Sequence, residues 1–173
     1  LHQLAEHAER SLCEIDLLSE GERAQITAWG VNEQRYGNTE PVHCLIERQV
    51  QARPEALALI FGAGLDCVEL SYAELNRRAN RLAHRLIASG VMPEVKVGIA
   101  VERSVDMIVG LLAILKAGGA YVPLDPDYPR DRLEYMAADS AIGILLTQSP
   151  LRSQIPCPQG CRVLELDRLD LTA

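Results

Sequence analysis

The sequence predicts an α/β protein: a partial doubly wound parallel sheet with flanking helices, preceded by an N-terminal helical linker. From residue 95 onward, short runs rich in Val, Ile and Leu alternate with helical segments. Such runs are typical of parallel strands that are covered on both faces. Right-handed crossovers between them would give an open, doubly wound layer. The first 40 residues are more polar, so we expect a linker over residues 1–40 and a domain over residues 41–173.

The linker contains two predicted helices. Leu1–Leu12 has apolar residues at helical spacing. Ser19 and Glu22 have the spacing of a capping box, which opens a second helix, and Gly30 is placed to end it.

The domain is expected to begin with a helix, a hairpin and a second helix. Val42–Ala52 has helical periodicity, and the apolar runs 56–61 and 67–70 flank a glycine-containing turn. Ser71 then has Glu74 three residues later, which predicts a second capping box. The helix that follows ends at Gly90 and carries an apolar stripe at Leu75, Ala79, Leu82, Ala83, Leu86 and Ile87.

Strands and helices alternate after Gly90. Ser104 is placed to cap a helix that reaches Ala117, with Ile108, Leu111, Leu112 and Leu115 facing inward, and Gly118-Gly119 stops it. The other predicted elements are strands at Val95–Val101, Ala120–Leu124, Ile142–Thr147 and Arg162–Leu166 and a helix at Arg130–Asp139.

Composition excludes several classes of function. The net charge is −7, and the arginines are interleaved with acidic residues, so nucleic acid is not an expected partner. The longest apolar runs, such as Met107–Leu115, are shorter than the about 20 residues that a membrane span needs. We therefore expect neither a nucleic-acid nor a membrane partner.

The five cysteines are scattered and odd in number, which argues against a disulfide framework and favours a reducing, cytoplasmic location. Cys157 and Cys161 are close in sequence, but a zinc site would need two further ligands. A plain turn with two thiols is the favoured interpretation.

No residue pattern predicts an active site. The glycines form neither of the common phosphate-loop motifs. Lys116 is expected in the last turn of a helix, where a cation complements the helix dipole, with no partner acid nearby. His2, His7, His43 and His84 have no nucleophile partner at a recognisable spacing. An acidic cluster surrounds the proline-rich turn and comprises Asp125, Asp127, Asp131 and Asp139. These residues are expected to cap turns and the following helix, and a cation site is the less favoured alternative.

Two motifs resemble a known family. The segment Leu115–Pro126, LKAGGAYVPLDP, closely resembles the second core motif of adenylation domains in nonribosomal peptide synthetases, within the AMP-binding, adenylate-forming superfamily. Leu70–Leu75, LSYAEL, resembles the first core motif at about the expected distance upstream. Tyr128-Pro129 and the segment 102–104 also look like the family, and residues 17–30 resemble the linker after a condensation domain.

The resemblance implies a specific activity for the intact enzyme. It would activate an amino acid with ATP and Mg²⁺ as an aminoacyl adenylate and then load it on the phosphopantetheine of a carrier domain. It implies a condensation domain upstream, and the rest of the adenylation domain and a carrier domain downstream, in the same polypeptide.

The family's phosphate loop, amino-acid pocket and catalytic lysine have no counterpart before Ala173. The chain also begins with Leu1. We therefore expect a fragment that is inactive alone, with no catalytic, cofactor-binding or metal-binding residue of its own. Two alternatives remain open: a non-catalytic docking or interaction domain from a truncated gene, and a fragment of an acyl or aryl acid ligase.

Overall fold

The computed structural model describes residues 11, 18–31, 40–64 and 67–171. The chain divides into two compact units, residues 1–39 and 40–173. Among the described residues, no helix is long and apolar enough to cross a membrane.

The first unit contains helix α1, Glu20–Gly30. Its predicted capping box is confirmed: Glu22 N donates to Ser19 Oγ (3.3 Å), and Ser19 N donates to Glu22 Oε2 (2.8 Å). The hydrogen bond from Ser19 N, and then a second one from Ser19 Oγ to the same Glu22 Oε2 (2.8 Å), lower the pKa of Glu22. The helix ends at Gly30 as predicted, but Val31 follows in an extended conformation, so no left-handed glycine cap forms. The helix predicted over 1–12 lies outside the described residues.

In its described residues, the second unit contains an antiparallel hairpin, a parallel sheet and four helices, together with 3₁₀ turns at Ser149–Leu151 and Leu166–Arg168. In chain order the elements are α2 Val42–Ala52, β1 Leu57–Phe61, β2 Val68–Ser71, α3 Tyr72–Ala88, β3 Lys96–Ala100, α4 Val105–Lys116, β4 Ala120–Pro123, α5 Arg130–Asp139, β5 Ile144–Thr147 and β6 Arg162–Glu165. Every element predicted between residues 42 and 166 is present, with ends that shift by at most two residues.

The hairpin leads directly into α3, and this junction changes the predicted cap. Glu74 N donates to Ser71 Oγ (3.3 Å) as expected. The Glu74 carboxylate, however, pairs with Arg77 and Arg78 instead of returning to the cap residue. Ser71 is also the last residue of β2 and is paired with Leu57, so this corner is held by the hairpin. Only half of the second capping box therefore forms.

The parallel sheet has the strand order β4-β3-β5-β6, and all three pairings are parallel. The chain leaves β3 for β4 through α4 and then returns past β3 to β5 through α5. Helices α3 and α4 contribute to one apolar cluster against the sheet, and α5 contributes to the other. Helices thus lie on both faces, and the predicted doubly wound α/β architecture is confirmed.

Helix α4 is buried on more sides than the sequence predicted. Of the four residues expected to face inward, only Leu112 is fully buried, while the others are half-buried. The remaining buried residues are Val109, Gly110, Ala113 and Ile114. The reason is that α4 packs against both α3 and the sheet, so two faces of an almost wholly apolar helix are covered. On α3 the stripe is correct except at Ile87, which is exposed.

Candidate functional site

A cleft of about 630 Å³ lies at the carboxyl ends of β3 and β4. In open parallel sheets, this end of the strands is where ligands commonly bind. The cleft is lined by both apolar and polar residues. The apolar lining is Ile99, Val101, Met107, Leu111, Pro123, Leu124, Pro126 and Leu151, and the polar lining is Glu102, Arg103, Asp125, Asp127 and Gln154.

Two groups near the mouth hold the surrounding loops. Asp127 N donates to Asp125 Oδ1 (3.1 Å), which closes the turn after β4. Glu102 N donates to Gln148 Oε1 (3.0 Å), which joins the segments that follow β3 and β5. These contacts shape the cleft and give it no reactive group.

The acidic cluster that follows β4 behaves largely as predicted. Asp125 caps a turn, and Asp131 lies in the first turn of α5, where a carboxylate complements the helix dipole. The cap position of α5 is nevertheless Pro129, with no side-chain hydrogen bond. Within the described ranges, no three His, Cys, Asp or Glu side chains converge in a way that could hold a metal ion.

The segment 115–126 forms the corner that sets β4 beside β3. Gly118 has φ +85°, a left-handed conformation that favours glycine. A Cβ on Gly119 would lie 2.9 Å from Val91 Cγ1 and 3.1 Å from Val95 O, so only glycine fits without a shift. Ala120 N then donates to Val95 O (2.9 Å), and Leu124 N donates to Ile99 O (2.9 Å). The motif thus has the structural role expected from the sequence.

Lys116 corrects one sequence-based expectation. Its side chain is only 5% exposed, and its ammonium donates to the Glu47 carboxylate of α2. The predicted absence of a partner acid was therefore wrong. The partner precedes Lys116 by 69 residues, so no local spacing could reveal it. The lysine anchors α2 to the end of α4.

The histidines within the described residues bring no catalytic group to the cleft. His84 is exposed on α3, as predicted, and His43 is half-buried near the start of α2. Neither residue lines the cleft. His2 and His7 lie outside the described residues.

Residues 46–172 match the protein family described as AMP-binding enzyme. This chain belongs to that family.

Among curated relatives, gramicidin S synthase 2 of Brevibacillus brevis is 45% identical over 156 residues, which are 90% of this chain and 3% of that protein. Chondramide synthase of Chondromyces crocatus is 45% identical over 157 residues, 90% of this chain and 4% of that protein. The chain therefore spans only a few per cent of the length of these relatives.

The crystal structure of the nonribosomal peptide synthetase FmoA3 resembles this AMP-binding chain with a TM-score of 0.72 and 31% sequence identity, covering 89% of this chain and 16% of that one. A fatty acid AMP ligase from Legionella pneumophila has a TM-score of 0.67 at 19% identity, covering 75% of this chain and 24% of that one, a likeness that shows the fold alone. The family resemblance drawn from the two motifs is confirmed: the chain corresponds to part of a peptide synthetase adenylation domain.

The cleft of this AMP-binding chain does not suit the groups that its family implies. A triphosphate needs converging amides or cations, and Mg²⁺ needs oxygen ligands. The cleft lining has one cation, Arg103, among three carboxylates, and in the part of the chain that the structure describes no glycine-rich loop opens a helix and no three His, Cys, Asp or Glu side chains converge on a possible metal position. These residues do not fit ATP and Mg²⁺, so no reaction step is assigned to them.

Two further thiols lie outside the cleft wall. Cys157 and Cys161 are both free and half-buried, and Cys161 Sγ donates to the backbone carbonyl oxygen of Arg162 (3.8 Å). Burial first, and the neighbouring Cys157 side chain second, raise the pKa of Cys161 to about 12. The expected turn with two thiols is present.

Proposed function

We propose that this chain is the supporting layer of an adenylation domain, inside a longer synthetase that activates an amino acid with ATP and Mg²⁺. The longer enzyme would form an aminoacyl adenylate and pass the acyl group to the phosphopantetheine of a carrier domain in the same polypeptide. The observation that carries the proposal is the corner at 115–126, whose motif and geometry set β4 beside β3. The relatives named above, all large synthases, support it.

Residues 1–173 contribute no catalytic, cofactor-binding or metal-binding residue in this proposal. Their part is mechanical: α4 and the glycine corner hold β3 and β4 in register, and the Lys116–Glu47 pair holds α2 in place. Electrostatic stabilisation of the reacting phosphates would come from groups elsewhere in the enzyme.

We also propose that residues 1–40 form a linker to an upstream condensation domain and that residues 41–173 belong to the adenylation domain. The division of the chain between residues 39 and 40 supports this boundary. Limited proteolysis should cleave first within 31–41 and leave a core that begins near α2. First cleavage inside β3–β5 would contradict the boundary.

Amino-acid-dependent exchange of labelled pyrophosphate into ATP tests the division of labour. The purified 173-residue chain should give background exchange with all twenty amino acids, and calorimetry should detect no ATP–Mg²⁺ binding at millimolar nucleotide. An active adenylation domain serves as positive control, and circular dichroism verifies that the chain is folded. Exchange above background, or nucleotide binding by the folded chain, would overturn the proposal.

The same assay on the longer enzyme tests the activity itself. The parent polypeptide should support exchange with a small set of amino acids, and a Gly119→Val variant should lose exchange together with folded protein. Exchange with fatty or aryl acids in place of amino acids would assign the chain to an acyl or aryl ligase.

A further inference from the structure

The segment Cys157–Cys161, CPQGC, forms a tight turn just before β6. Cys161 N donates to Pro158 O (3.0 Å), which closes the turn. Gly160 has φ +84°, a conformation that favours glycine and lets the chain reverse within this short segment. Cys157 and Cys161 therefore stand at the two ends of one short turn.

Both side chains pack against the apolar cluster on the α5 face of the sheet, and both remain partly exposed. Small reagents therefore reach the sulfurs, while the turn limits how far they separate. Disulfides in proteins usually join Cα atoms about 4.4–6.8 Å apart, so the proposed bridge requires the turn to hold the two cysteines within that range.

We propose that Cys157 and Cys161 form a reversible dithiol–disulfide pair, a modification site separate from the cleft. The oxidant is a small disulfide of the glutathione class. Cys157 is the attacking sulfur, because Cys161 is held in its thiol form: Cys161 Sγ donates to the Arg162 carbonyl oxygen (3.8 Å), and burial raises the pKa of Cys161 to about 12.

The exchange proceeds in two balanced steps. The Cys157 thiolate attacks one sulfur of glutathione disulfide, which gives a mixed disulfide and releases one glutathione thiolate. Cys161 then loses its proton to solvent and displaces the second glutathione. The protein loses two hydrogens, and one disulfide is reduced to two thiols.

A disulfide between Cys157 and Cys161 would fix the turn that leads into β6. Cys161 directly precedes Arg162, the first residue of the strand, and Arg162 N donates to Gly143 O (3.0 Å) at the start of the β5–β6 pairing. The bridge would therefore restrain the point at which β6 joins the sheet.

The experiment exposes the folded 173-residue chain to a series of oxidised and reduced glutathione and follows it by intact mass and peptide mapping. The wild type should lose about 2 Da and yield one disulfide-linked peptide containing Cys157 and Cys161. Cys157→Ser and Cys161→Ser should abolish this bridge, and Cys161→Ser should retain a stable glutathione adduct on Cys157. Cys44→Ser is the matched control and should close the bridge as the wild type does, because Cys44 lies on α2.

A second measurement needs no variant. A trivalent aryl arsenoxide, which bridges two neighbouring thiols, should protect both cysteines of the turn from alkylation in the native wild type and should lose this preference in guanidinium chloride. A bridge to Cys13, Cys44 or Cys67, stable separate adducts on both turn cysteines, or no arsenical protection would overturn the proposal.

Discussion

Removing the Glu47 carboxylate should destabilise the domain strongly, because it leaves the Lys116 ammonium in the interior without its counter-charge. Lys116 is 5% exposed, whereas Glu47 is 42% exposed. A buried charge that loses its partner still has the free-energy cost of desolvation, but it no longer has the attraction that compensates for that cost. The perturbation is Glu47→Ala, which also keeps good helix propensity in α2.

The magnitude follows from the exposure of the two partners. Breaking a fully buried pair costs about 3–5 kcal/mol, and an exposed pair contributes about 0–1 kcal/mol. With one partner buried and the other partly in water, we expect a loss of about 1–3 kcal/mol. For a chain of this length, that lowers the melting temperature by about 2–10 °C.

Urea unfolding followed by circular dichroism measures the change in the free energy of unfolding. The change shifts the urea midpoint, while the dependence of the free energy on urea concentration stays constant. Arg48→Ala is the matched control, one residue further along α2: Arg48 pairs with Glu40, and both side chains are well exposed. Its expected cost is about 0.5 kcal/mol or less. Replacing both members of the buried pair, Glu47→Ala with Lys116→Met, should recover most of the loss, since no charge is then left unpaired.

Equal losses of stability in Glu47→Ala and Arg48→Ala would show that Lys116 does not need its counter-charge. A double variant as unstable as the sum of the single variants would show no coupling between the two side chains, which contradicts a buried ion pair.

Three other outcomes are expected. Gly118→Ala should cost about 1–2 kcal/mol in urea unfolding, since its φ of +85° disfavours a Cβ, whereas Gly143→Ala, with nothing within 4 Å of its Cβ position, should change stability by less than about 1 kcal/mol. Ser104→Ala removes the oxygen that accepts from Met107 N and should cost about 0.5–2 kcal/mol; no change in the unfolding midpoint would show that this cap is dispensable. The pKa of Cys161 is raised from 9.0 to about 12, so between these pH values the folded state binds more protons than the unfolded state. The free energy of unfolding should therefore fall as pH rises from 9 towards 12. Cys161→Ser should show a weaker fall, and equal pH profiles for the two proteins would contradict the raised pKa of Cys161.

The site was the least predictable part of the molecule. From the sequence, Asp125 was correctly expected to cap a turn, but no acidic side chain caps the helix that follows, where Pro129 holds the cap position. The glycines of the 115–126 motif were correctly given a structural role. The cleft itself was not foreseen, since its wall combines the ends of β3 and β4 with residues from α4 and from the segment that follows β5. Such a surface exists only once the crossovers have been made.

Local chemistry was enough to determine the elements of this chain and their order. Helix caps such as Ser104, stops such as Gly118 and the periodicity of α3 act over a few residues, so their signals can be read directly from the sequence. Tertiary structure alone decided which faces of α4 were covered and that Lys116 met Glu47. Glu74 could either return to its cap or pair with Arg78 four residues later, and local spacing left both arrangements open. Each of these outcomes depends on contacts between distant segments or on competition between two partners for one side chain. The sequence pattern does not give the strength of such contacts or the result of such a competition.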